Sequence, residues 1–569
     1  MAVLTVSQAF ELALQHHRAG HLNEAEALYR QILAVQSDHP DAWHNLGLSL
    51  SQRAQWGEAV AAFRRAIELN PDFTSAHFNL GNTFKDQGHA DEAITAYRRA
   101  LELEPGSIEV LTNLGAVLDA AGQHRDAVDA YRRALAIVPG HPVIYVNLGC
   151  ALTNLKEWNE AIACFRYVIS LQPANAEAYA NLARPYHEMG NWEEALTCSL
   201  EALRLQPDHA FAQVNAATAW ERMGNFDKAE SAFRAAIQRD PNNATAHTGL
   251  GMLQWSRGRY AEGWAEMEWR WQNRTAPEFQ RRFPVPQWNA QSKSNGPILL
   301  HCEQGFGDAI QFLRYVPRFC QRAAPNHILF EHPPELTRLL RQGWDIPAGL
   351  TCHSRDERPD TLPPCSGHLP LLSIPHALGL HEPVTMTAPY LRPDTTLRLR
   401  WRERLAATDG FRIGLVSTGN PQQVNNNYRS ISAPRLLPLL RVPGARFYRL
   451  QVGPPPPDFQ SLLDAGLIDL TEHITDFADT AAFMAELDLI ITTDTVTPHL
   501  AGALGLPTWT MLAFVPDWRW GLEGEATPWY PSMRLFRQPA QDDWDFVVQR
   551  IIEELPGAIA GCSKLGASH

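Results

Sequence analysis

One period governs the first half of this chain. Asn-Leu-Gly recurs at Asn45, Asn79, Asn113 and Asn147, each 34 residues after the last, and the step continues at Asn181, Asn215 and Gly249. A second marker keeps the same step at Pro71, Pro105, Pro139, Pro173, Pro207 and Pro241. Between markers lie two amphipathic segments, such as AWHNLGLSLSQRA and GEAVAAFRRAIEL, with apolar residues three and four apart as helices require. The proline comes after the second segment, where a helix cannot continue. One such unit cannot bury its apolar face alone, so the copies must stack on one another. About eight copies fit, the first starting near Thr5 and the last near Asn243.

A helix–turn–helix of this length, with small residues at fixed places, resembles the tetratricopeptide repeat. In the second copy the matching residues are Trp43, Leu46, Gly47, Ala59, Phe63, Ala66 and Pro71. Gly47, Ala59 and Ala66 let the two helices approach closely. The asparagines need a separate reason, because Asn is a mediocre helix former. The residue before each one differs freely: His44, Phe78, Thr112, Val146, Ala180 and Val214. In the tetratricopeptide arm of O-linked N-acetylglucosamine transferases, asparagines at this place form a ladder along the concave face. The resemblance implies a peptide groove lined by Asn45, Asn79, Asn113, Asn147, Asn181 and Asn215, whose amides both donate and accept. Simple copying by duplication, or solvent exposure, is the competing explanation.

The helical period stops after EWRWQNR. Residues 273–295 are rich in Pro and polar residues and read as a linker between the repeats, 1–272, and the C-terminal half of the chain. In that half short apolar runs alternate with amphipathic helices. PILLHC, HILFEH, RIGLVS, RFYRLQV, LIDLT and LDLIITT read as strands. DAIQFLRYVPRFCQRA, PELTRLLRQ, TAAFMAEL, PHLAGALG and WDFVVQRIIEEL read as helices. Such alternation argues for parallel sheets covered on both faces. The helix-like LRLRWRERLAATDG divides this half into two lobes, 296–395 and 396–569. The expected fold class is therefore an all-α superhelix followed by two Rossmann-like α/β lobes, with ligands at the carboxyl ends of the strands.

Composition narrows the partners. The net charge is −13 with no long Lys/Arg run, which weighs against nucleic acid or an anionic membrane. The eight cysteines form no C-x-x-C pair and read as reduced thiols. No apolar run approaches the length of a membrane span and no leader is visible, so a cytoplasmic protein is expected.

EQGFGDAIQFLRY, DFADTAAFMAELDLIITTDTVTPHLAGALG and DWRW with TPWYPSMRLFRQ resemble the catalytic region of bacterial family-nine, heptosyltransferase-like glycosyltransferases of GT-B fold. A tetratricopeptide arm on such a domain is similar in plan to the O-linked N-acetylglucosamine transferases. The resemblance implies transfer of a sugar from a nucleotide sugar to a Ser or Thr hydroxyl of a protein held by the repeats, with inversion and without a metal or other cofactor. Some bacterial relatives modify flagellin, which places a flagellin-like acceptor among the implied partners. A glycan or lipid-linked acceptor is one alternative, and a non-catalytic scaffold with a degenerate transferase half is another.

Local chemistry agrees with those roles. In TTDTVTPHLAG the strand ends near Thr492, Thr497 suits an N-cap, and Pro498 suits the first helical position. A helix start with free N–H groups favours an anion, and the resemblance assigns Asp494, Thr495 and His499 to the nucleotide diphosphate. In STGNPQQVNNNYRS, Gly419 and Asn420 suit close approach of a phosphate, and Arg429 supplies a fixed positive charge for the leaving group. Ser417 stands where relatives often carry Trp. EQGFGDAI fails as a dinucleotide loop, since Ile310 stands where the third glycine belongs. Gly305 and Gly307 then read as a tight turn presenting Asp308, which the resemblance makes the general base. The helix N-cap is its plain alternative, and Glu303 is the rival base. The D-x-D at Asp543 and Asp545 reads as the acidic start of the last helix rather than a metal site. Trp518, Trp520, Trp529 and Tyr530 suit either sugar stacking or core packing. Sugar, nucleotide and oligomeric state are not legible.

Overall fold

The computed structural model describes residues 4–273, 281, 283–289, 296–324, 326–355, 364–386, 388–406, 409–419, 426–453, 455 and 458–565. The chain divides into two compact units, Met1–Ala219 and Trp220–His569. Among the described residues, sixteen helices run from α1 (Val6–Arg18) to α16 (Tyr260–Met267). They form eight helix–turn–helix pairs, and Thr5 caps the first of them. The Gln8 N–H donates to the Thr5 hydroxyl at 3.3 Å, and the Thr5 N–H donates to the Gln8 side chain at 3.0 Å.

The turn inside each pair carries a signal of the same period. Residues 20, 54, 88, 122, 156, 190, 224 and 258 all adopt positive φ. Six are glycine, but Ala54 and Lys156 occupy the same left-handed position at 56° and 64°. The glycine of the Asn-Leu-Gly marker serves space instead. A Cβ on Gly47, Gly81, Gly115 or Gly149 would lie 2.6–2.7 Å from the ring of Phe63, Tyr97, Tyr131 or Phe165, sixteen residues on. Each ring is buried against the glycine of its own pair, which brings the two helices close.

The second unit contains two parallel sheets. Strands β1 (Ile298–His301), β2 (Ile328–His332), β3 (Leu350–Ser354) and β4 (Gly367–Pro370) form a sheet in the order β3-β2-β1-β4. Strands β5 (Phe411–Val416), β6 (Ala445–Arg449), β7 (Leu489–Thr493), β8 (Thr508–Leu512) and β9 (Met533–Arg537) form another in the order β6-β5-β7-β8-β9. Their register sets Leu300 beside Phe330 and Leu415 beside Ile491. The first sheet is accompanied by α17 (Phe306–Phe312), α18 (Val316–Ala323), α19 (Thr337–Gly343) and α20 (Ile374–Ala377). After α21 (Thr395–Leu405) come α22 (Asn426–Arg429), α23 (Ala433–Leu436), α24 (Gln460–Asp464), α25 (Phe477–Met484), α26 (Val496–Ala503) and α27 (Trp544–Leu565).

Several elements differ from what the sequence leads one to expect. The stretch expected as one helix from Asp308 breaks at a 3-10 turn, Leu313–Tyr315, before Pro317, whose missing N–H cannot close the next turn. LIDLT makes one bridge, Ile468 to Tyr448, and no strand. Strands β3, β4, β8 and β9 are not legible in the sequence, because TWTML and MRLFR mix polar with apolar residues and β4 is a four-residue run ending in proline. Part of the expected linker joins the sheet. Trp288 is buried, its N–H donates to the His368 carbonyl at 2.7 Å, and Phe283 stacks on His301 and His368. The last repeat shares a core with the sheets: Trp255 packs on Trp518 at 4.2 Å, and Trp264 meets Phe312 edge-on.

Asp543 accepts the Phe546 N–H at 3.1 Å and so caps α27. Among the described residues no helix is long and apolar enough to cross a membrane, and the described cysteines are free thiols.

Candidate functional site

Four strand ends converge. The carboxyl end of β1 leads to α17, that of β5 to Gly419 and α22, that of β7 to α26, and that of β8 to a short 3-10 turn, Trp518–Trp520. Asp308 stands in the first turn of α17. Its Oδ2 accepts the Gly305 N–H at 3.1 Å, and its Oδ1 forms an ion pair with Arg519. Arg519 also donates through Nε to Gln311 Oε1 at 2.6 Å and through Nη1 to Asp517 Oδ1 at 2.7 Å. One buried guanidinium therefore bridges two carboxylates, and both oxygens of Asp308 are engaged. Gly305, not Asp308, is the N-cap of α17; Asp308 stands at its third position and accepts the cap N–H.

The opening glycines have a packing reason. Gly305 has φ −66° and ψ 169°, ordinary extended backbone. Gly307 is in the helix, where a Cβ would come within 2.8 Å of the His499 ring. His499 is itself buried, stacks on Trp520 at 5.4 Å, and shares a hydrogen bond with the Tyr530 hydroxyl at 3.1 Å. Burial, reinforced by the Arg314 charge, pushes its pKa down to about 3. The ring does not project from the helix start as the sequence suggested; it is a neutral core group joining α17 to α26. Arg314 braces the same joint, donating to the Trp529 carbonyl at 2.8 Å and lying over the Tyr530 ring. Trp518, Trp520, Trp529 and Tyr530 are all buried, which is the core-packing alternative.

Helix α26 begins two residues earlier than expected. Thr495, in extended backbone, is the N-cap and accepts the Thr497 N–H at 3.2 Å. Val496 takes the first helical position and Pro498 the third, where a missing N–H still costs no intrahelical bond. Asp494 immediately precedes the cap. Burial raises its pKa and the Arg429 charge opposes that rise. On the β5 side the Gly419 N–H donates to Asn426 Oδ1 at 2.9 Å. A Cβ on Gly419 would sit 2.7 Å from that oxygen and 2.9 Å from Arg429 Nη2, so a larger residue would push those two side-chain ends aside. Asn420 lies outside the described residues. Asp517 is also raised, first by burial and then by the Asp494 charge, with Arg429 and Arg222 opposing. Asp308, Arg519 and Asp517 are thus joined by hydrogen bonds, Arg429 lies beside Gly419, and the charges of Asp494 and Arg429 act on Asp517.

Glu303 stands apart from it. Its side chain is 1% exposed and pairs with the buried Arg270 at 2.7 Å. Arg270 also donates to Ser373 Oγ at 2.8 Å and to the Met267 carbonyl at 2.8 Å. Burial, only partly offset by Arg270, lifts Glu303 to about 7. This pair ties the end of the last repeat to the end of β1.

The six asparagines are half-buried or buried along the first helices of their pairs. Three reach the preceding pair: Asn79 to His44 at 3.0 Å, Asn113 to Asn82 at 3.0 Å, and Asn215 to the Ala180 carbonyl at 2.9 Å. Asn45 donates to the Asp41 carbonyl and Asn181 to Glu177, each within its own helix. The Asn147 side chain makes no hydrogen bond among the described residues.

Sequence reasoning misses Arg519, Asp517, Gln311 and Arg314. The available signal was the charged pair set among tryptophans in DWRW, since an arginine among core aromatics needs a buried acid.

Models of the tetratricopeptide repeat match residues 142–175, 186–243 and 214–265, and a model of the cilia and flagella-associated protein 70 middle TPR-like domain matches residues 10–127. The N-terminal half is therefore a tetratricopeptide-repeat scaffold for protein–protein interaction. Protein FlbA of Caulobacter vibrioides (strain ATCC 19089 / CIP 103742 / CB 15) is 26% identical over 338 residues, which cover 54% of this chain and 55% of FlbA. The match thus spans about half the length of that relative. Among solved structures, YrrB, described as a TPR protein with an unusual peptide-binding site, is 24% identical with a TM-score of 0.30, covering 32% of this chain and 95% of its own. A MamA structure is 26% identical with a TM-score of 0.27, covering 30% of this chain and 93% of its own.

Proposed function

We propose that the chain is a glycosyltransferase that moves a sugar from a nucleotide-sugar donor to a Ser or Thr hydroxyl of a protein held by its repeats. In this reading the two parallel sheets are the Rossmann-like lobes of a GT-B enzyme. The observation that carries it is the Asp308–Arg519–Asp517 bridge past the carboxyl ends of β1 and β8, with the charges of Arg429 and of Asp494, which precedes the Thr495-capped start of α26, acting on Asp517. Carboxyl ends of parallel strands are where such sheets bind ligands. The diphosphate would lie against the first-turn N–H groups of α26, with the Arg429 guanidinium opposite. Charge grows on that diphosphate as the glycosidic bond breaks, so these donors stabilise the transition state more than the ground state. The acceptor oxygen attacks the opposite face of the sugar carbon, giving inversion, and no step calls on a metal.

The buried, neutral His499 holds α17 against α26 in this scheme and carries no charge to the diphosphate. The repeats deliver the acceptor, with the amide of Asn147 available to an extended backbone. The resemblance to flagellin-modifying proteins makes a flagellin-like segment the first acceptor to try. The test is incubation with UDP-, GDP- and dTDP-activated sugars over a Ser/Thr peptide array, with nucleoside diphosphate release and peptide mass as readouts. A peptide gaining one sugar supports the proposal; nucleoside diphosphate release onto glycan or lipid acceptors alone would overturn the protein-acceptor part.

A further inference from the structure

We propose that the proton of the acceptor hydroxyl is taken by Asp517, and that Asp308 is the strut that positions it through Arg519. The inference rests on the glycosyl-transfer reading and changes which residue does its chemistry. Both oxygens of Asp308 already accept a hydrogen bond, Oδ2 from the Gly305 N–H and Oδ1 from Arg519. Its side chain is 16% exposed, against 36% for Asp517. In Asp517, Oδ1 takes both the Arg519 backbone N–H and Nη1 at 3.1 and 2.7 Å, which fixes the carboxylate in one orientation. Its Oδ2 carries no hydrogen bond among the described residues. An aligned carboxylate with one open oxygen is the geometry a general base needs.

The charges around it suit the same task. Arg519 is shared between two carboxylates, so it cannot neutralise both. The charges acting on Asp517 are Asp494 just past β7, Arg429 from α22 and Arg222 at the end of its repeat helix, while Asp308 shares its Arg519 partner. Burial raises Asp517 most, the Asp494 charge adds to it, and Arg429 and Arg222 oppose. A carboxylate lifted toward neutrality is a stronger proton acceptor than one at its ordinary value. In the step itself the hydroxyl proton passes to Asp517 Oδ2 as the acceptor oxygen bonds to the anomeric carbon. The bond from that carbon to the diphosphate oxygen breaks, and its electron pair leaves with the nucleoside diphosphate. No oxidant, reductant or further reactant is needed.

The experiment compares wild type, Asp517→Asn and Asp308→Asn by nucleoside diphosphate release from UDP-, GDP- and dTDP-sugars, with water or the peptide array as acceptor, from about pH 5 to about pH 9. Calorimetric titration of each nucleoside diphosphate and circular dichroism accompany it. The expected result is a fall in kcat of about 100-fold or more in D517N, with nucleoside diphosphate affinity not weakened and the acidic limb of the kcat profile lost. D308N is expected to lose rate while keeping that limb, as a positioning residue should. The assignment is overturned if D308N loses the limb and D517N stays within about fivefold of wild type. If the wild type neither binds a nucleoside diphosphate nor releases one, the transfer reading itself falls and this assignment with it. If the wild type transfers sugar and D517N does so equally, only this assignment falls. Should D517N fail to fold, Asp517→Glu is the second variant: a displaced but surviving acidic limb supports the base, and an unmoved one overturns it.

Discussion

Arg270→Met turns a buried ion pair into a pH-dependent weakness. Glu303 is lifted from 4.5 to about 7 because burial outweighs the neighbouring guanidinium. A carboxyl held above its ordinary value binds its proton more tightly folded than unfolded. Its contribution to stability is therefore complete below about pH 4.5 and drains away as the pH rises to about 7. At about 1.4 kcal/mol per pH unit, the wild type loses about 3 kcal/mol across that window and is flat above it. In R270M only the Leu372 backbone hydrogen bond still opposes burial, so the carboxyl climbs further and the loss continues above pH 7. The penalty against wild type should thus grow by about 1.4 kcal/mol per pH unit there, toward the roughly 3–5 kcal/mol typical of a buried charge stripped of its partner. Because the chain has two compact units, a single melting curve is a poor readout. Hydrogen exchange of the peptide covering β1 reads the local effect, with tenfold faster exchange for each increment. An unchanged ratio of mutant to wild-type exchange between about pH 6 and about pH 9 would refute the reasoning. The double change R270M with Glu303→Leu should restore stability, since a buried pair is replaceable by packed apolar groups.

Ala54→Gly and Lys156→Gly should each stabilise the repeats by up to about 1 kcal/mol, because both replace a left-handed non-glycine by the residue that the other six turns use; urea denaturation of the full chain checks the direction. Asn215→Ala should cost about 1 kcal/mol, since it removes a buried hydrogen bond to the Ala180 carbonyl of the preceding pair. Asn147→Ala should leave stability unchanged and weaken acceptor-peptide binding, which fluorescence anisotropy reads.

The repeats are legible in the sequence almost to the residue. The expected first copy at Thr5 is the observed capping box, and the expected last copy at Asn243 is the cap of α15 (Ala244–Ser256). A fixed period written eight times averages away local ambiguity. The turn glycines carry a further marker at the same step, masked only by Ala54 and Lys156. The sheet-forming half is less legible, because buried parallel strands show no alternation and short ones resemble helix fragments. Within the candidate site, Asp494, Arg429 and Gly419 stand out by motif and charge, and the structure brings them together. Asp517 and Arg519 do not, since their pairing with Asp308 spans about two hundred residues and no local spacing encodes it. The place of His499 near a helix start suggests a surface group. Its burial has a cause far away in sequence, the missing Cβ of Gly307.

The most direct test is calorimetric titration of UDP, GDP and dTDP into wild type and Arg429→Ala, with hydrogen exchange followed over residues 494–499. At least one nucleoside diphosphate should bind the wild type and slow exchange at the start of α26, and R429A should weaken that binding by about tenfold or more, as loss of a charged hydrogen bond requires. Failure of all three to bind, or binding that leaves both residues 494–499 and the R429A affinity unchanged, would contradict a diphosphate site at this helix start.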